Sequence, residues 1–131
     1  MKAAVLHEVG QALVIEDVSI DKPGPREVLV RMAAAGVCHS DLHFVEGLYP
    51  YRWPVVLGHE SAGVVEEVGA DVTYVKPGDH VITCLSAFCG HREACTTGHP
   101  SICDGCETCR HRDQPARLYQ EERTVQQFAN L

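Results

Sequence analysis

Cysteines are concentrated in residues 89–109, where the sequence reads CGHREACTTGHPSICDGCETC. Thiolates at this density are typical of a metal site in a reducing compartment, and Cys89, Cys95 and Cys103 have a spacing that suits metal ligands. Arg92 lies between the first two of them. A guanidinium is permanently cationic and has no lone pair to donate, so this side chain cannot bind a metal. The segment therefore indicates a thiolate site that is short of one ligand.

A second set of potential ligands, Cys38, His59 and Glu60, is dispersed along the chain. Cys38 ends the apolar segment AAAGVC, and His59 and Glu60 precede the segment SAGVVEEVG. A thiolate and an imidazole suit Zn²⁺, and ligands from distant segments are more typical of an open catalytic site than of a closed structural one. Without further context, a buried inert thiol and a hydrogen-bonded histidine at a strand end are the simpler explanations of Cys38 and His59.

The composition limits the class of protein. The chain has 131 residues, a net charge of −7 and 45% hydrophobic residues, which favours one globular domain and argues against nucleic acid as a partner. No segment approaches the roughly 20 apolar residues of a membrane-spanning helix, and His7 and Glu8 interrupt the N-terminal segment before a signal-peptide core. An odd number of cysteines, seven, argues against a disulfide framework. We expect a cytoplasmic protein with no membrane partner.

Short strands separated by turn residues are expected over the first eighty residues. Residues 2–8 and 12–20 flank a turn at Gly10, and residues 27–38, 61–69 and 80–85 are further strand candidates. This pattern favours a small barrel or sandwich, a mainly β fold. The tail could be a short helix over residues 116–127 or a loop that enters a strand at residues 125–131.

An ordered series of motifs closely resembles the zinc-containing alcohol dehydrogenases of the medium-chain dehydrogenase/reductase family. The segment GHESAGVVEEVGADV fits G-H-E-x2-G-x5-G-x2-V, and GVCHSD and KPGDHV occur at compatible spacing. The resemblance runs from Met1 to at least Cys103. It implies that residues 1–131 are the N-terminal part of the GroES-like catalytic domain, a partly open β-barrel. A Cys-rich lobe of the structural-zinc type would be nested within it at residues 88–113, and the Rossmann domain is absent from this sequence.

The resemblance also implies roles for the dispersed ligands. Cys38 and His59 would be two of the three protein ligands of a catalytic zinc, and Glu60 would be a carboxylate near that metal, behind its direct ligands. Asp41 would orient the imidazole of His59, since a carboxylate beside a ligating histidine fixes its tautomer.

Three polar residues after Cys38 complete the implied active site. Ser40 would bind the substrate hydroxyl, His43 would pass its proton to solvent, and His39 would lie near the cofactor pyrophosphate; the alternative is a solvated polar loop. The implied reaction oxidises an alcohol to an aldehyde or ketone by hydride transfer to NAD or NADP, with zinc as Lewis acid. The implied partners are a small alcohol or aldehyde and, in the full-length protein, further copies of itself.

Two parts of the family's machinery are missing from the sequence. The third catalytic ligand is a cysteine further downstream in the family, and no Gly-x-Gly-x-x-Gly fingerprint of a dinucleotide site occurs here. We therefore expect a fragment with an incomplete zinc site, no cofactor site, an unfinished barrel edge and no dehydrogenase activity of its own. The alternative is a free-standing GroES-like module for zinc binding or interaction, or a decayed remnant without activity.

The Cys-rich lobe departs from the family pattern C-x2-C-x2-C-x7-C at its second place, where Arg92 stands. Structural zinc requires four ligands, so three outcomes are open. Cys106 or Cys109 supplies the fourth sulfur, His91 supplies a nitrogen, or the site is weak or empty. A further alternative is a thiol redox sensor built from Cys103 and the two downstream cysteines.

Overall fold

The computed structural model describes residues 1–105 and 115–127. Its strands are β1 (Lys2–Leu6), β2 (Val14–Asp17), β3 (Ser19–Ile20), β4 (Val28–Ala35), β5 (Val55–Val56), β6 (Ser61–Val68), β7 (His80–Ile82), β8 (Leu118–Gln120) and β9 (Arg123–Gln127). Its helices are α1 (His39–Val45), α2 (Glu93–Thr96) and a 3-10 turn at Pro100–Ile102. The fold is therefore mainly β, as the sequence predicts. The predictions for Cys106, Cys109 and residues 128–131 concern positions outside the described residues.

The predicted N-terminal hairpin is confirmed. Strands β1 and β2 pair antiparallel, from Lys2 opposite Asp17 to Val5 opposite Val14. The connection contains Gly10 at a φ of 76°, a backbone conformation that glycine adopts without a steric penalty. The hairpin forms one edge of a six-stranded sheet in the order β2-β1-β5-β9-β8-β3.

A small apolar core holds the six-stranded sheet together. Val5, Val18, Leu118 and Val125 form one buried cluster, and each is at most 3% exposed. Two of these residues come from the N-terminal hairpin region and two from the tail, so the core joins the two ends of the described chain. Burial of this kind stabilises each side chain by roughly 1.5–3 kcal/mol.

The tail forms a hairpin, so the helix considered for residues 116–127 is wrong. Strands β8 and β9 pair antiparallel, with Leu118 opposite Val125, and β9 also pairs in parallel with β5. Because these two apolar side chains enter the core, tertiary burial overrides the local helix propensity of the polar residues around them. The other prediction, a loop that enters a strand at residues 125–131, is closer to the structure, although β9 already begins at Arg123.

A second sheet, in the order β4-β6-β7, positions the dispersed ligands. It contains the three strands expected at residues 27–38, 61–69 and 80–85. Strands β4 and β6 pair antiparallel from Val28 opposite Val68 to Ala35 opposite Ser61. The end of β4 and the beginning of β6 are therefore side by side, and the residues that follow Ala35 lie beside those that precede Ser61.

Two apolar side chains at the second sheet are exposed, Val37 after β4 at 93% and Ile82 in β7 at 83%. No helix in the described part of the chain is both long enough and apolar enough to cross a bilayer.

Candidate metal centres

The dispersed ligands converge into one cluster. The thiol of Cys38, a ring nitrogen of His59 and a carboxylate oxygen of Glu60 all lie within 4.8 Å of one another. The β4–β6 pairing brings the two segments together, and the Gly36 N–H donates to the Glu60 carbonyl oxygen at 2.7 Å. The structure therefore assembles in space a set of donors that is separated along the sequence.

Asp41 joins the two segments that carry the ligands. Its carboxylate is buried and accepts hydrogen bonds from the N–H of Cys38 at 3.0 Å and from the N–H of Gly58 at 3.2 Å. Its Oδ1 atom also lies 3.5 Å from Nδ1 of His59. One carboxylate thus fixes the backbone beside both ligands and faces the imidazole, which is the arrangement expected of a residue that orients a ligating histidine.

Ser40 lies against the Cys38 sulfur. Its hydroxyl donates to the thiol at 3.0 Å. Hydrogen bonds from the side chain and backbone of Ser40, and then one from His59, lower the pKa of Cys38 below its ordinary value. Because the thiolate is the form that binds a metal, these contacts favour ligation.

The polar residues after Cys38 form the helix α1 rather than the solvated loop considered as an alternative. Phe44 anchors the helix because it is buried, and its ring packs against Tyr49. His39 and His43 are one turn apart, with Nδ1 of the first 3.1 Å from Nε2 of the second. The His43 ring also meets Tyr49 edge to face, with centroids 5.2 Å apart. Tyr49 was missed at the sequence level because it lies outside every motif.

The donor set of this first cluster fits zinc. A thiolate sulfur, an imidazole nitrogen and a carboxylate oxygen are the three ligand types that Zn²⁺ takes in proteins. Three protein ligands leave one position open, as in catalytic sites. The zinc site was expected to be incomplete because the family's third ligand is a cysteine further downstream. Among the described residues, the Glu60 carboxylate offers a third donor instead.

A second cluster lies in the Cys-rich lobe. Sγ of Cys89 is 3.6 Å from Sγ of Cys103 and 3.9 Å from Sγ of Cys95, and all three sulfurs lie within 4.8 Å of one another. Cys95 lies in α2, and Cys103 follows the 3-10 turn. The spacing seen in the sequence therefore does bring these three thiols together.

Arg92 lies alongside the sulfurs and does not act as a ligand. It precedes α2, and its guanidinium pairs with Asp104 at 3.3 Å. A Cβ atom on Gly105 would be 2.9 Å from Nε of Arg92 and 3.1 Å from Sγ of Cys89, which places the guanidinium next to the cluster. His91 does not join the sulfurs, and its Nδ1 faces the Cys89 carbonyl at 3.1 Å. In residues 1–105 and 115–127 the lobe thus offers three of the four ligands that structural zinc requires.

The thiols of the lobe differ in acidity. Backbone hydrogen bonds at Cys89 and Gly105 lower the pKa of Cys103 to about 7. Burial raises the pKa of the Cys95 thiol above its ordinary value. Cys103 therefore becomes a thiolate more readily than Cys95 does.

Residues 24–127 match the family of the alcohol dehydrogenase GroES-like domain, and the chain belongs to this family. An alcohol dehydrogenase of Moraxella sp. strain TAE123 is 50% identical over 107 residues, which are 79% of this chain and 32% of that protein. This chain therefore spans about a third of the length of that curated relative.

Solved structures of zinc-binding dehydrogenases share the fold. An alcohol dehydrogenase zinc-binding domain protein from Burkholderia ambifaria is 37% identical, with a TM-score of 0.83, over 96% of this chain and 35% of that one. A structure described as a zinc-binding dehydrogenase of Sinorhizobium meliloti 1021 bound to NADP is 36% identical, with a TM-score of 0.64, over 79% of this chain and 30% of that one. The predicted resemblance and the GroES-like fold are therefore confirmed.

Proposed function

We propose that this chain is the catalytic-domain portion of a zinc-dependent alcohol dehydrogenase, which oxidises alcohols to aldehydes or ketones by hydride transfer to NAD or NADP. The observation that carries the proposal is the convergence of Cys38, His59 and Glu60 beside the Ser40 hydroxyl. The Moraxella relative is an alcohol dehydrogenase, and the Sinorhizobium structure contains NADP, which supports the same class of reaction.

Cys38, His59 and Glu60 are the residues that would hold the zinc. When bound, the ion supplies Lewis acidity that favours the deprotonated form of a substrate hydroxyl. Asp41 keeps the two ligand segments in register through its bonds to the N–H groups of Cys38 and Gly58. The hydrogen bond from Ser40 helps to hold the Cys38 sulfur as a thiolate.

The same helix offers a route for the proton of the substrate. Ser40 is next to the ligands and would take the proton from the alcohol hydroxyl. His43 follows one turn later on α1 and pairs with His39, which is exposed. The two imidazoles would carry the proton to solvent, and His39 would also face the cofactor pyrophosphate. Side chains in such acid–base roles contribute typically 10²–10⁴-fold to the rate.

The nicotinamide site requires residues other than these. The sequence contains no Gly-x-Gly-x-x-Gly motif, which forms the phosphate-binding turn of dinucleotide domains. We therefore expect the 131-residue chain, assayed by itself, to show no alcohol-dependent reduction of NAD or NADP.

A chimeric enzyme tests the proposed function. Residues 24–127 of this chain replace the matching segment of the Moraxella relative, and alcohol-dependent reduction of NAD and NADP is measured. We expect turnover, a loss of at least about 100-fold with Ser40→Ala, and no turnover with Cys38→Ala. Ser86→Ala, on an exposed loop, is the matched control and should change nothing. A chimera that holds zinc and oxidises no alcohol, or one that keeps its turnover without Cys38, would contradict the proposal.

A further inference from the structure

Gly36 lies directly beside the first metal centre. It follows the end of β4, and its N–H donates to the backbone carbonyl of Glu60 at 2.7 Å. Its φ is not in the left-handed range, so the backbone itself does not demand glycine at this position. A side chain at this position is therefore limited by the space around it and not by backbone conformation.

The space above Gly36 is filled by the side chain of Glu60. A Cβ atom built on Gly36 would overlap Oε2 of Glu60, and would lie 3.0 Å from its Cβ and 3.2 Å from its Cδ. The three nearest atoms to such a Cβ thus all belong to this one glutamate. The Glu60 carboxylate could not keep its present position if residue 36 carried even the smallest side chain, a methyl group.

The adjustment to an alanine would be made mainly by the carboxylate. Oε2 is the far end of a flexible and exposed side chain, so it can rotate away while β4 and β6 stay paired. The Cβ atom of Glu60 does not move on such a rotation, and its 3.0 Å contact requires a backbone shift of a few tenths of an ångström. The same carboxylate supplies the third donor of the cluster with Cys38 and His59. An alanine methyl group at position 36 would therefore displace the Glu60 carboxylate from the cluster, although Glu60 itself remains in the chain.

We propose that Gly36 is a positioning residue, which leaves room for the Glu60 carboxylate to reach the metal bound by Cys38 and His59. This inference rests on the proposed function, because it requires a metal at that cluster. It predicts that Gly36→Ala acts on metal binding through the Glu60 carboxylate.

A double-mutant cycle tests the role of Gly36. The parent is a single-site variant of the full chain in which Cys89, Cys95, Cys103, Cys106 and Cys109 are each changed to Ser, so that no cysteine of the lobe competes for the ion. Gly36→Ala, Glu60→Ala and their combination are made in this parent. Zinc affinity is measured by competition with a chromophoric chelator, and the absorption spectrum of bound Co²⁺ reports the ligand set.

We expect Gly36→Ala to lower zinc affinity at least about 10-fold, and to give a Co²⁺ spectrum like that of Glu60→Ala. In the Glu60→Ala background, Gly36→Ala should cause no further loss, because no carboxylate remains to be displaced. An unchanged affinity, or an equal loss in both backgrounds, would overturn the role of Gly36 and leave the metal site standing. A parent that binds no zinc through Cys38 would instead overturn the proposed function.

Discussion

The Oδ1 atom of Asp41 lies 3.5 Å from Nδ1 of His59, and both side chains are buried. The other carboxylate oxygen accepts the N–H of Cys38, so a single acidic group contacts both segments of the candidate metal centre. Burial leaves the carboxylate little freedom to move, and it therefore acts as a fixed support for the two ligands.

Removal of the Asp41 carboxylate should weaken zinc binding by Cys38, His59 and Glu60 without deleting a ligand. In the single-site variant we expect Asp41→Ala to lower zinc affinity by about 10- to 100-fold, since partners behind the ligands contribute on that scale. The zinc affinity of Asp41→Asn should lie between those of Asp41→Ala and the parent, because an amide keeps one acceptor oxygen and loses the other. Asp17→Ala, which removes an exposed ion pair with Lys2, is the control and should leave the affinity unchanged. Equal affinities for Asp41→Ala and the parent would contradict this role.

The lobe should gain metal when its missing thiolate is restored. In a chain carrying Cys38→Ser, so that only the lobe cluster holds zinc, Arg92→Cys would place a fourth sulfur beside Cys89, Cys95 and Cys103. We expect this chain to retain close to one zinc per molecule under dialysis against a chelator, and to lose it more slowly than the chain with Arg92.

Arg92→Ala is the matched control for this experiment, because it removes the cation and adds no ligand. If Arg92→Ala retains as much zinc as Arg92→Cys, the charge of the arginine rather than the missing sulfur limits binding. If neither variant differs from the chain with Arg92, the fourth ligand is supplied elsewhere and the vacancy inferred from the sequence is wrong.

Thiol reactivity in the metal-free lobe should depend on pH in a residue-specific way. The pKa of Cys103 is about 7, and the thiolate is the nucleophile. Its alkylation by iodoacetamide should therefore be slow below pH 7, rise through that value and reach a plateau above it. Cys95, whose pKa is raised by burial, should react only at higher pH. Peptide mass spectrometry resolves the two residues, and alkylation of Cys95 before Cys103 would contradict the assignment.

The turn of the C-terminal hairpin stores strain that a glycine would relieve. Glu121 connects β8 to β9 with a φ of 54°, which a residue with a side chain rarely adopts. We expect Glu121→Gly to raise the free energy of unfolding by about 0.5–1 kcal/mol, measured by urea denaturation. Glu122→Gly is the matched control at the next position, where φ is not positive, and it should stabilise nothing. A loss of stability with Glu121→Gly would show that the strain is absent.

Much of the fold and of the candidate site could be predicted from the sequence. The turn at Gly10 and the β-branched segments predicted the hairpin and the three strands of the second sheet correctly. The short strand β5 was not predicted, because two residues carry no periodicity, and its position depends on parallel pairing with β9. The choice between helix and hairpin in the tail depended on burial of Leu118 and Val125, which local propensity does not report.

The ligand types could be identified in advance, whereas the contacts that position them could not. Cys38, His59 and Glu60 belong to motifs that mark zinc enzymes, and the structure brings all three together. The role proposed for Gly36 depends on the position of the Glu60 side chain above it, which the sequence does not report. Sequence spacing likewise gave no sign that Tyr49 packs against His43.

Zinc K-edge X-ray absorption of the single-site variant tests the central claim most directly, because it counts the atoms bound to the metal. We predict one zinc per chain with a single sulfur at about 2.3 Å and nitrogen or oxygen atoms near 2.0–2.1 Å, and loss of the sulfur with Cys38→Ser. A chain that retains no zinc, or a zinc bound without sulfur while Cys38 is intact, would contradict the account.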